Sequence, residues 1–171
     1  TGCDALVTAP IAKAGWHLAG HHYPGQTERL AELAGVTEAS MLFTARSPAG
    51  GWRLNTLLAT THIPLAAVPA SLTPERVRGK LEVLLQFCRR FEAQPRLVVA
   101  GLNPHAGEEG RLGREEQDWL IPCLEAWRAE HPDVVLEGPL PPDTCWLEAA
   151  AAWRGEGPGP CLLYTSDAAD E

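Results

Sequence analysis

Apolar runs bounded by turn residues alternate along the chain with stretches of helical periodicity, a pattern that predicts an α/β fold. Leu6-Val7-Thr8 reads as a strand ending at Pro10, and Glu28 to Leu33 as a short helix with Thr27 as N-cap and Gly35 as its stop. Met41 to Ala45 and Trp52 to Thr60 read as hairpin partners across the Ser47-Pro48-Ala49-Gly50-Gly51 turn. Ile63 to Val68 is strand-like but interrupted by Pro64. The clearest helix runs from Thr73 to Phe91. Thr73 caps it, and Pro74 takes the first helical position, where no N–H is missed. Val77, Leu81, Leu84, Leu85, Cys88 and Phe91 then line up as one apolar stripe. Leu97-Val98-Val99-Ala100-Gly101 is unbroken and apolar, as a strand buried on both faces of a parallel sheet should be. Arg114 to Glu130 is helical, with Pro122 either kinking it or marking its effective start. Val134 to Leu136 reads as the next strand, Glu137 to Thr144 as a loop and Leu147 to Trp153 as the last helix. No internal repeat is present.

Composition narrows the classes. The 171 residues suit one domain with a sizeable core, at 45% hydrophobic and 21% charged. A formal charge of -8 argues against a duplex-DNA or anionic-membrane binder, which needs a basic face. No apolar run approaches transmembrane length, and no basic-then-apolar leader opens the chain. Five dispersed cysteines, with no C-x-x-C pair, read as free thiols in a reducing compartment, so a cytoplasmic location is expected.

The chemistry is expected in the loops that leave the carboxyl ends of strands. His62 and His105 each follow a strand and are the metal candidates, able to meet across adjacent strand ends. Two imidazoles do not complete a catalytic zinc shell, and a histidine at a strand end more often serves as a hydrogen-bonded structural residue. Glu108, Glu109 and Asp143 are possible oxygen ligands, although a solvated loop face also accounts for the glutamates. Pro104 and Gly107 flank His105 so that it is aimed rather than floppy. Lys13 could pair with a carboxylate or phosphate, though exposure alone explains a lysine. His17, His21 and His22 read as surface residues, and the six tryptophans as packing residues. Neither a G-x-G-x-x-G fingerprint nor a Walker sequence is present.

Taken together these loops resemble one family. Leu6 to Lys13, Ala19-Gly20, Pro24 to Glu28, Ala59 to Leu65, Gly101 to Gly110 with Gly113 and Glu115-Glu116, and Gly138 to Thr144 are similar, in order, to the 4-hydroxythreonine-4-phosphate dehydrogenases of pyridoxal phosphate biosynthesis. The resemblance implies a three-layer α/β/α fold, like that of isocitrate and isopropylmalate dehydrogenases and incomplete here, in a homodimer. It implies a divalent metal (Zn, Mg or Co), NAD, and oxidation of a small phosphorylated hydroxy acid followed by decarboxylation. Residue by residue, it makes His62 and His105 metal ligands and Gln26 and Thr27 substrate contacts; Lys13 and Asp143, singled out from their loops, are candidates for catalytic roles. The family's third metal-binding histidine lies in a Tyr-His-Asp-Gln-Gly segment and comes from the partner subunit. That segment is absent here. Gln26 stands where the family has a histidine, which keeps a paralogue acting on a threonate or erythronate phosphate in view. A metal-dependent hydrolase and a non-catalytic domain are the readings from other classes.

The final string, Cys161 to Glu171, resembles the in-frame translation of a transposase-end adapter used in building sequencing libraries. The expected organisation is therefore a partial dehydrogenase domain over residues 1–160 and a non-native tail over 161–171, outside the fold. The fragment by itself is expected to be inactive.

Overall fold

The computed structural model describes residues 7–23, 25–36 and 39–165. The chain divides into two compact units, Thr1–Ala39 and Ser40–Glu171.

The first unit carries two helices, α1 (Lys13–Leu18) and α2 (Gln26–Leu33). The strand expected at residues 6–8 is not there: Val7 to Pro10 are irregular and exposed, and Leu6 lies outside the described residues. Gln26 explains part of this. Its side chain accepts from the Thr8 hydroxyl and donates to the Ala9 carbonyl, so this segment is tied to a helix end instead of a ladder. The same ties carry α2 back to Gln26, with Gly25 at the cap and Thr27 inside the helix, not capping it. Gly35, at φ 69°, follows the helix as expected of a stop.

The second unit is built on a five-stranded sheet. Strands β1 (Leu42–Arg46) and β2 (Arg53–Leu58) form the expected antiparallel hairpin. Ile63 to Val68 is not a strand: a 3-10 turn at Leu65–Ala67 leads into α3 (Val68–Ser71). Pro64 and Pro69 both lack a ladder donor, and Pro69 is pre-set for a helix start. Helix α4 (Pro74–Cys88) begins as its sequence dictates, with the Thr73 hydroxyl accepting the Arg76 N–H at 3.2 Å. Val77, Leu81, Leu84, Leu85 and Cys88 are buried, but the helix stops before Phe91, which is 52% exposed. Strand β3 (Leu97–Ala100) is buried throughout. Past it, a π-helical turn at Glu116–Leu120 precedes α5 (Ile121–Glu130), so Pro122 marks the effective start of the α-helix. Without an N–H, Pro122 cannot complete the preceding α turn. Strand β4 is Leu136–Leu140, later and longer than expected. Its Gly138-Pro139 pair suggests a loop, yet it sits at a register shift against β3, where a proline can be accommodated. Helix α6 (Leu147–Trp153) follows, as the sequence predicts.

The largest correction concerns the end of the chain. Cys161–Tyr164 is strand β5, and it lies in the middle of the sheet, in the order β1-β2-β5-β3-β4. It pairs in parallel with β2 on one side and β3 on the other. The physical reason is plain in the residues: an uncharged apolar run of strand length follows the breaker-rich Arg154–Pro160. It fills a slot whose two sides are otherwise unpaired backbone.

Alternate residues of β3 and β5 supply two cores. Leu97, Val99, Cys161 and Leu163 pack with α4 and α5, while Val98, Ala100 and Leu162 pack with Cys145 and Ala149 beside α6. The unit is therefore a three-layer α/β/α sandwich with a mixed sheet. Among the described residues no helix is long and apolar enough to cross a membrane. Cys88, Cys123, Cys145 and Cys161 are buried free thiols.

If β5 is integral, Leu162→Ala and Leu163→Ala should each cost about 2–5 kcal/mol in denaturant unfolding, because they empty opposite cores. An unchanged midpoint in both variants would show residues 161–164 to lie outside the sheet.

Candidate functional site at the strand ends

Three parallel strands end side by side, and the loops that leave them carry the histidines. β2 runs into Ala59-Thr60-Thr61-His62, β5 into Thr165, and β3 into Gly101 and the segment bearing His105. These ends are laced together. The Thr60 hydroxyl donates to the Thr165 carbonyl at 2.9 Å, and the Thr165 hydroxyl donates to the Gly101 carbonyl at 3.2 Å. The strands preceding His62 and His105 are thus not adjacent, as expected from sequence, but flank β5. Both histidines are exposed, and both have left-handed backbones, with φ of 54° at His62 and 51° at His105. Such conformations are costly for non-glycine residues and cluster at functional sites.

The loop after β3 holds the most unusual backbone. Within Pro104–Gly110, residues His105, Ala106, Gly107, Glu108 and Glu109 are successively left-handed, with φ between 44° and 82°. One buried side chain holds this turn. Glu116 is 1% exposed; its Oε1 accepts the Leu102 N–H at 2.8 Å and the Asn103 N–H at 2.7 Å. Its Oε2 accepts from the Asn103 amide at 2.8 Å, and the same amide donates to Glu115 at 2.7 Å. Glu115's own backbone N–H, together with Asn103, holds its carboxyl below the usual range. Gly107 packs directly on the clamp: a Cβ there would meet Glu116 Oε2 at 2.8 Å and the Gly113 carbonyl at 2.9 Å, and its φ of 82° suits glycine alone. Sequence reasoning placed Glu116 within a family motif but assigned it no task. The available signal was a carboxylate preceding an apolar helix after a glycine-rich loop.

The other sequence candidates are dispersed. Asp143 is exposed in the loop between β4 and α6. Lys13 is the exposed first residue of α1, and Thr27 is exposed on α2, both in the first unit. Gln26, half-buried, spends its carbonyl and one amide hydrogen on Thr8 and Ala9. His17 and His22 pair loosely, with ring centroids 5.2 Å apart. His131 is structural: it stacks on Trp127 at 4.0 Å, and its Nε2 lies 3.1 Å from Glu82. Burial pushes the Cys145 thiol up to about 11 and raises that of Cys123, so neither supplies a thiolate at neutral pH.

Among the described residues no group of three or more His, Cys, Asp or Glu is placed to hold a metal ion. The strand ends offer two imidazoles, fewer than the three protein ligands of a catalytic zinc. The donor set fits a divalent ion only as part of a shared coordination sphere.

Comparison with known proteins places the chain in a family. The family model for the pyridoxal phosphate biosynthetic protein PdxA matches residues 1–154. A 4-hydroxythreonine-4-phosphate dehydrogenase of Synechococcus sp. (strain RCC307) is 70% identical over 151 residues, covering 88% of this chain and 46% of the relative. One from Thermosynechococcus vestitus is 56% identical over 161 residues, covering 93% of this chain and 47% of its own length. The crystal structure of the Klebsiella pneumoniae enzyme of that name superposes with a TM-score of 0.78 at 36% identity, over 92% of this chain and 44% of that one. The chain spans a little under half the length of the relatives it matches. Over that span it belongs to the PdxA family, whose similar members here are 4-hydroxythreonine-4-phosphate dehydrogenases.

Proposed function

We propose that the chain is the central part of an enzyme that oxidises 4-phosphohydroxy-L-threonine with NAD and releases carbon dioxide to give 3-amino-2-oxopropyl phosphate. The observation that carries this reading is that the loops bearing His62 and His105 leave the same end of the sheet, from strands whose ends are hydrogen-bonded through Thr165, within a chain of the PdxA family. Membership of a family whose similar members are dehydrogenases supports oxidation over the hydrolytic alternative. His62 and His105 would hold a divalent ion (Zn, Mg or Co), completed by a ligand from a partner subunit in a homodimer. Bound there, the ion would supply Lewis acidity to the substrate hydroxyl, and NAD would accept the hydride. This chain's own contribution is geometric. Glu116 fastens the start of the loop that bears His105, and the hydrogen bonds among Thr60, Thr165 and Gly101 tie together the strand ends from which the two histidine loops leave.

Gln26 and Thr27 are the proposed substrate contacts. Gln26 retains one amide hydrogen beyond those used locally, enough for a neutral hydrogen bond but not for a charge. This supports a second reading, a paralogue acting on a threonate or erythronate phosphate. Lys13 and Asp143 remain proposals for catalytic roles. An adapter origin for residues 161–171 belongs to the same reading, with 161–164 completing the sheet whatever their source. Four buried free thiols support a cytoplasmic enzyme.

Residues 1–154 should function when grafted into the full-length Synechococcus relative. The chimera should form NADH from 4-phosphohydroxy-L-threonine, while the 171-residue chain alone forms none. His62→Ala and His105→Ala in the chimera should each lower kcat/KM more than about a hundredfold, exceeding the loss of a partner that merely supports a ligand. Preferred turnover of a threonate phosphate would establish the paralogue. NADH formation by the 171-residue chain would overturn the shared site.

A further inference from the structure

We propose that Glu116 is the positioning residue for the His105 imidazole, holding it from both sides through one buried carboxylate. The proposal rests on the reading of His105 as a metal ligand. Two residues before His105, Asn103 gives both its backbone N–H and its side-chain amide to Glu116. Two residues after it, Gly107 packs against the same carboxylate so closely that a methyl group would sit 2.8 Å from Oε2. Gly101, where the loop leaves β3, is just as confined. A Cβ there would lie 3.1 Å from Ala106 and 3.3 Å from Glu116 Oε1. The segment between Asn103 and Gly107 has little freedom once its two ends rest on a single group.

The carboxylate is itself fixed. Glu116, Leu120, Cys123, Leu124 and Trp127 are all buried along one continuous helical run, so the clamp is rooted in the packed core. The loop's own backbone bonds, from Ala106 N–H to the Asn103 carbonyl and from Leu112 N–H to the Gly107 carbonyl, close it at a cost in strain. Four of its five left-handed residues carry a Cβ, and each such residue favours returning to a right-handed or extended backbone. With the clamp loosened, the loop should relax and His105 should lose its direction, even though Glu116 makes no contact with the ion. His62, on the loop after β2, should be unaffected.

The test is a zinc titration of the chimera in which residues 1–154 replace their counterpart in the full-length Synechococcus relative, followed by the ring-proton NMR signals of individual histidines. His105→Ala should abolish the shared response of His62 and mark the ligand role. Glu116→Gln preserves shape but turns an amide toward the Asn103 amide; it should weaken zinc binding about tenfold or more, while the far-ultraviolet circular dichroism is retained. Gly107→Ala, which pushes on the same carboxylate from the loop side, should weaken binding similarly and serves as the second variant if Glu116→Gln does not fold. Zinc binding unchanged in Glu116→Gln and Gly107→Ala, with His105→Ala defective, would overturn the positioning role and leave the ligand reading intact. Zinc binding unchanged in His105→Ala would overturn both.

Discussion

Three N–H groups converging on the Glu116 carboxylate decide the shape of the loop that leaves β3. Left-handed backbone costs an L-residue roughly 1–2 kcal/mol, so the four non-glycine residues of the turn carry about 4–8 kcal/mol of strain. The turn's own backbone bonds, from the Ala106 N–H to the Asn103 carbonyl and from the Leu112 N–H to the Gly107 carbonyl, offset part of that strain. Glu116 anchors the start of the turn at Leu102 and Asn103 and packs against Gly107 within it.

The surrounding sheet turns that local device into an edge able to bear a site. Parallel pairing brings the carboxyl ends of β2, β5 and β3 to the same side, and the hydrogen bonds among Thr60, Thr165 and Gly101 keep those ends in register. β5 is central in both senses. It closes the sheet between the two histidine-bearing strands, and its alternate side chains enter both cores.

Elements governed by local chemistry were legible in the sequence. Thr73-Pro74 announces the start of α4 because capping and the proline dihedral act within one turn, and the run Leu97–Ala100 could only be buried on both faces. The pattern misled where tertiary pairing overrides punctuation: Gly138-Pro139 reads as a loop but lies in β4 at a register shift. Residues 161–164 were excluded on the origin of their string, although the apolar run itself has the makings of a strand. The histidines were legible as candidates because they follow strands, whereas the left-handed turn was not. His105, Ala106, Glu108 and Glu109 have no preference for that region, and only the glycines hint at it. Glu116 escaped for the same reason. Its partners are backbone groups thirteen and fourteen residues away, which no spacing rule reveals.

Native-state hydrogen exchange at the Leu102 and Asn103 amides tests the central claim most directly. If the Glu116 carboxylate holds this loop, both amides should exchange only on unfolding of the core, as slowly as those of β3. Exchange at the rate of an open surface loop, with β3 still protected, would contradict the account.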